Sequence, residues 1–152
     1  MDDAAHKVPG DAEGAAAYRL EDQIGHVLRR AHQRASAIFQ EHIGDPNVTP
    51  TQFAALVKLH DEGQLSQNHL GRLTAMDRAT IQGVTRRLVG RALIAAEPDP
   101  GDKRRTLLRL TPAGEALVRR LVPGGWAVSD ATLAPLTAAE RKAFLALLRK
   151  IT

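Results

Sequence analysis

A chain of 152 residues, 43% hydrophobic and 25% charged, is long enough for one domain with a real core plus a helical arm. Aromatics make up only 3%, so the core must be built from Leu, Ile, Val and Ala, which suits packed helices, and the absence of cysteine excludes disulfides, thiolate zinc sites and catalytic thiols. The net charge is a modest +4, but Ser66 to Thr111 holds nine Lys/Arg against four acids, a local +5, while the remainder sums to −1; that asymmetry points to a polyanion partner.

Residues Met1 to Ala17 are small and acidic with Pro9, Gly10 and Gly14, and are expected to form a mobile tail without function (1–17). No apolar run is long enough to cross a membrane and the start lacks the apolar stretch of a signal peptide, so a cytoplasmic protein is expected. From Tyr18 to Ile43, apolar residues recur at steps of three and four, predicting an amphipathic helix of about 39 Å. A helix that long outruns a small reader, so residues 18–48 are assigned to dimerisation. Gly44-Asp45-Pro46-Asn47 ends it.

Thr49-Pro50-Thr51-Gln52 is a capping box with proline at the first helical position, opening a helix that offers Phe53, Leu56, Val57 and Leu59 to a core and ends at Gly63. Ser66 caps a short helix with Leu70 and Leu73, and Asp77 caps another with Ile81, Val84 and Leu88. This is the order of a helix-turn-helix. With those three apolar residues inward, the second helix leaves Arg78, Ala79, Gln82, Gly83 and Arg86 outward, flanked by Thr80 and Arg87. Such a face offers donors for base edges and phosphates, and small residues that allow close approach.

Leu93 to Glu97 and Thr106 to Thr111 read as strands joined by a turn, Pro98 to Arg105, that carries Lys103, Arg104 and Arg105 in succession. Thr111-Pro112 opens a further helix that Pro123-Gly124-Gly125 should interrupt; a resumed segment would pack Trp126, Val128 and Leu133. Thr137 to Glu140 is a second capping box, before a helix with the stripe Phe144, Leu147, Leu148 and Ile151. The fold class is therefore mainly α with a small β-hairpin wing: a winged helix-turn-helix DNA-binding domain at 49–114, with C-terminal dimerisation helices at 115–152.

The stretch Asp99-Pro100-Gly101-Asp102-Lys103-Arg104-Arg105, followed by Leu108 to Gly114, resembles the D-x-x-D-x-R…L-T-x-x-G signature of the MarR family of bacterial transcriptional regulators, and helix order agrees from Tyr18 to Thr152. The resemblance implies a homodimer with intertwined terminal helices on a roughly palindromic operator. It maps Arg104 to the minor-groove arginine at the wing tip, Asp102 to the acid that orients it, 78–87 to the recognition helix, and Ser66, Gln67 and Asn68 to phosphate contacts. It also implies release from DNA by a small aromatic or heteroaromatic acid. Gln52 to Leu56 with Met76 to Val84 is similar to the branch controlling nicotinate catabolism, which makes that effector nicotinate-like. For the acid, Arg34, Thr51 and Phe53 are the candidate cation and slot, against an ordinary interface role for Arg34. Two departures stand out: Ala92 replaces the family's usual Gly, which should change the turn from its left-handed form, and the Pro-Gly-Gly break falls within a helix that is usually continuous.

No phosphate loop, nucleophile elbow or paired catalytic carboxylate appears, so no enzymatic activity and no cofactor are expected. The six histidines include no pair three or four apart, which leaves a metal site only if ligands converge from different helices. The competing readings are an architectural DNA binder without an effector and a winged-helix adaptor whose basic wing meets an acidic protein.

Overall fold

The computed structural model describes residues 18–152; the expected tail, 1–17, lies outside them. The elements run α1 (Ile24–His42), α2 (Pro50–Glu62), β1 (Gln64–Ser66), α3 (Gln67–Leu73), α4 (Arg78–Gly90), β2 (Ile94–Asp99), β3 (Asp102–Leu110), α5 (Pro112–Leu133) and α6 (Ala138–Leu148). The antiparallel sheet has the order β1-β3-β2.

Helix starts fall where cap chemistry puts them. Thr49 accepts from the Gln52 amide while the Gln52 side chain returns to the Thr49 amide, and Ser66, Asp77, Thr111 and Thr137 each accept from the amide three residues on. Each cap satisfies a donor that the first helical turn leaves without a partner. The first helix is shorter than its apolar pattern: Leu20–Asp22 form a separate 3-10 turn, held by Gln23 Nε2 donating to the Arg19 carbonyl, and Gln23 is extended at φ −84° and ψ 131°. Its 19 residues span about 28 Å rather than 39.

The Pro-Gly-Gly break does not occur. Pro123 lies inside a continuous α5, where it removes one backbone bond. The glycines are there for contact: a Cβ on Gly124 would sit 2.7 Å from the carbonyl oxygens of His42 and Ile43, and one on Gly125 would sit 2.9 Å from the Phe53 ring. Trp126, expected to pack inward, is 72% exposed, because it sits at the mouth of an open cleft beside Gly125 and Phe53; Val128 does reach the core margin.

The core is centred on the reader, where Leu56, Leu70, Ile81, Leu88, Ile94 and Leu108 are all 2% exposed or less. Leu73 is left largely outside and Phe53 and Val57 lie at the margin. Gly114 is required by packing, since a Cβ there would lie 2.1 Å from the Leu93 carbonyl oxygen. Beside it, Thr111 closes the hairpin onto α5 by donating Oγ1 to the Ala92 carbonyl at 2.7 Å. Ala92 itself corrects the sequence expectation: at φ 55° it keeps the left-handed turn despite its Cβ.

Candidate nucleic-acid interface

Helix α4 presents the expected face. Ile81, Val84 and Leu88 are buried, leaving Arg78, Ala79, Thr80, Gln82, Arg86 and Arg87 exposed and Gly83 half-buried. Asp77 Oδ1 accepts from the Thr80 amide at 2.7 Å, and that bond holds its carboxyl below the ordinary range. The acid is thus committed to the cap, close to Arg78 in sequence yet not paired with it.

The wing departs from the sequence reading in a useful way. Both strands extend further than expected, leaving only Pro100 and Gly101 as the turn. Pro98 is tolerated because β2 is the sheet edge and needs no donor on its outer side. Asp99 pairs with Asp102, yet the preceding pair is Pro98 with Thr106. Lys103, Arg104 and Arg105 are therefore a bulge on β3 without cross-strand partners, and all three are exposed. Asp102 Oδ1 accepts from the Arg104 amide at 3.0 Å and lies 3.8 Å from Arg104 Nε; Asp99 Oδ1 accepts from the Gly101 amide at 2.8 Å, and its other oxygen is 4.0 Å from Arg105 Nε. Two aspartates thus shape the tip through backbone bonds while the Arg104 side chain stays 97% exposed.

Apart from Arg104 and Arg105 beside the tip aspartates, the cations of the stretch divide into two groups. Arg109 is spent on Glu97 at 2.5 Å, which raises the guanidinium pKa and lowers that of the carboxyl, and Arg91 donates to the Asn47 carbonyl at 2.8 Å. Among the described residues Arg72, Arg78, Arg86, Arg87 and Lys103 have no carboxylate within 4.0 Å. Sequence counting could not tell these groups apart, because pairing depends on the tertiary approach of β2 to β3.

Two surface grooves join the parts. One, of about 460 Å³, is lined by Ser66, Gln67 and Asn68 at the start of α3, Arg72, and Arg104 to Thr106 of the wing. The other, of about 350 Å³, lies between α3 and the start of α4 and includes Asn68, Arg72, Met76 and Arg78. Asn68 and Arg72 border both, so the wing, α3 and α4 share one continuous surface. Arg72 was not singled out in the sequence; a lone arginine on a short helix carries no local signal of that position.

The effector candidates do not converge. Phe53 lines an apolar cleft of about 240 Å³ with Val57, Val122, Gly125, Trp126 and Ser129. Its ring centroid is 5.9 Å from that of Phe39, which borders a second cleft of about 190 Å³ with His32, Ala35, Ser36, Pro50 and Val128. Thr51 is at the cap, its hydroxyl 3.1 Å from that of Thr49. Arg34 lines neither cleft; its guanidinium donates to the Thr132 and Ala131 carbonyls near the end of α5, at 2.7 and 3.4 Å. The exposed Trp126 and the half-buried Val122 were missed as cleft residues, since the helix break expected between them hid their common face.

Comparison with known proteins decides the family. The family model described as MarR family matches residues 47–105. The HTH-type transcriptional repressor NicR of Pseudomonas putida is 44% identical over 134 residues, covering 88% of this chain and 85% of that protein. The chain belongs to the MarR family. Among solved structures, BpsR of Bordetella bronchiseptica, whose DNA binding is regulated by 6-hydroxynicotinic acid, is 44% identical, with a TM-score of 0.85 over 90% of this chain and 97% of that one. PcaV of Streptomyces coelicolor, solved with its natural ligand, is 36% identical, with a TM-score of 0.83 over 90% and 96%. This MarR-family chain is accordingly a winged-helix, DNA-binding transcriptional regulator, in a family of regulators rather than enzymes. No helix among the described residues is long and apolar enough to cross a membrane.

Proposed function

We propose that the protein is a homodimeric repressor that reads a roughly palindromic operator and releases it when a nicotinate-like aromatic acid binds. The observation that carries the DNA-reading assignment is the continuous surface from α4 through Arg72 to the wing, on which five cations lack acid partners among the described residues. Gln82 and Arg86 on α4 are the base readers, with Ala79 and Gly83 allowing approach to the major groove. Arg104, oriented by Asp102, enters the minor groove, and Ser66, Gln67 and Asn68 with Lys103 and Arg105 hold phosphates.

Dimerisation is supported by α1 and α6. Ile24, Val27 and Leu28 face Phe144, Leu147 and Ile151 across an apolar groove of about 420 Å³, and Leu147 and Ile151 remain 61% and 65% exposed in the single chain. A second copy supplies the missing cover.

For the effector, the similarity to BpsR, whose DNA binding is regulated by 6-hydroxynicotinic acid, favours a hydroxylated nicotinate. The paired clefts around Phe53 and Phe39 suit a single ring and fall below the size of drug-like sites. The ionisable group on their lining is His32, whereas Arg34 would first have to leave the α5 carbonyls. The test is a titration of the promoter region upstream of the gene against random DNA, with and without 6-hydroxynicotinate. Preference for the promoter and its loss on adding the acid are expected; no preference at any salt would replace the repressor by an architectural binder. Phe53→Ala should keep the preference and lose the response.

A further inference from the structure

We propose that the loop between α1 and α2, Gly44 to Asn47, is a strut that fixes the recognition helix to the stem, with Arg91 and Arg120 as its positioning residues. The proposal deepens the DNA-reading assignment of α4 and rests on it.

Each end of the strut is rooted in the core: Ile43 and Val48, which flank the loop, are 1% and 0% exposed. Between them the loop receives one arginine from each neighbour. Arg91, the residue that ends α4, donates Nη1 to the Asn47 carbonyl at 2.8 Å. Arg120, on α5, donates Nη2 to Asp45 Oδ2 at 2.9 Å and Nη1 to the Gly44 carbonyl at 3.4 Å. Asp45 Oδ1 accepts from the Asn47 amide at 2.9 Å, so one aspartate ties together the two points of attachment.

An isolated surface ion pair contributes little, about 0–1 kcal/mol. Here the acid is the covered partner, while the Arg120 side chain is 57% exposed. The Asp45 side chain is only 14% exposed. The Asn47 amide first, then Arg120, and at longer range Arg91 hold its carboxyl below the ordinary value, outweighing a small opposing effect of burial. Underneath, α5 presses on the same segment through Gly124, where there is no room for a Cβ beside the His42 and Ile43 carbonyls. The next residue, Gly125, meets the Phe53 ring at the apolar cleft.

The consequence is mechanical. A ring entering the cleft separates Phe53 from α5 at Gly125, one residue from the strut's floor. Arg120 then moves relative to Arg91, and the last turn of α4 loses its fixed position against the stem. The Pro-Gly-Gly sequence, which looks like a helix break, places the cleft and the strut on adjacent residues of one helix.

Spatial continuity alone does not establish coupling, so the test is a double-mutant cycle on the full chain. Arg91→Gln, Arg120→Gln and the double variant are compared by amide exchange at Arg91, Ala92 and Leu93, whose bonds close the end of α4, and by operator affinity over a range of salt. Among the described residues Arg120 makes its hydrogen bonds to the loop, yet Arg120→Gln should speed exchange at those three amides about fivefold. Exchange at Ile81 in the first turn of α4 should not change. Operator affinity should fall by a similar factor with an unchanged salt slope, and Arg120→Lys should recover most of both. The double variant should be no worse than the poorer single one. Additive effects, or unaltered exchange at the end of α4 in Arg120→Gln, would overturn the strut. So would a salt slope lowered by about 1 in Arg91→Gln, which would make Arg91 a phosphate contact. Wild-type protein without operator preference would instead remove the DNA-reading assignment, while the exchange measurement would still decide the strut.

Discussion

In the reader, Leu70, Ile81, Leu88 and Leu108 are 2% exposed or less; in the stem, Ile24, Leu147 and Ile151, apolar residues of the same kinds, stay more than 60% exposed. Both regions carry helical stripes of Leu, Ile and Val, yet only one closes on itself. The reader surrounds its stripes with three helices and a sheet. The stem leaves its stripe open along the groove between α1 and α6. Local order in the reader is therefore a property of one chain, while under the proposed homodimer the stem's stability depends on protomer concentration. The two are joined through α5, whose first turn packs on the reader at Gly114 and whose middle packs on α1 at Gly124.

The largest expected effect breaks the reader from inside. Gly114→Val places side-chain atoms where a Cβ alone would lie 2.1 Å from the Leu93 carbonyl oxygen, and should cost about 3 kcal/mol or more in urea unfolding. An unchanged midpoint would mean that α5 is not seated on the hairpin as described. Next comes the stem. Phe144→Asp with Leu147→Asp should convert a dimer to a monomer in sedimentation while the reader keeps its helical circular dichroism, and should weaken operator binding on the order of a hundredfold through lost bivalency. A double variant that still sediments as a dimer would place the interface elsewhere.

A smaller change sharpens the difference between affinity and selectivity within the reader. Arg104→Ala should lower the slope of log affinity against log salt by about 1 with little effect on folding, because its side chain is almost wholly solvated in the free protein. An identical slope would remove the wing tip from the contact. The smallest effect is stabilising: Ala92→Gly relieves a left-handed residue at φ 55° and should add about 0.5–1 kcal/mol, the cost of that conformation less the extra chain entropy of glycine. A destabilised variant would show that the Ala92 methyl packs usefully.

The reader was largely legible because its signals are local. Caps at Thr49, Ser66, Asp77, Thr111 and Thr137 act within four residues, and the stripe Ile81, Val84, Leu88 repeats at the helical period. The three cations of the wing were visible as a run, but their being a bulge was not, since it depends on Pro98 meeting Thr106 across the hairpin. Strand β1 was missed for the same reason: three residues with no alternation become a strand only when Leu65 pairs with Leu108. The expected effector set failed to converge because spacing along α1 says nothing of where Arg34 turns its guanidinium, and it turns to α5.

By itself the sequence determined where helices begin, which face of the recognition helix is polar, and where positive charge accumulates; each is set by bonds or periods spanning a few residues. Only the tertiary structure decided the course of α5, the separate partners of Arg109 and Arg91, and the contacts that Arg91 and Arg120 make with the loop between α1 and α2. Those features depend on groups far apart in the chain coming within about 3 Å, the range at which hydrogen bonds and steric exclusion act. Gly124 and Gly125 show the distinction: read locally they end a helix, and packed against α1 and Phe53 they are the reason it can pass.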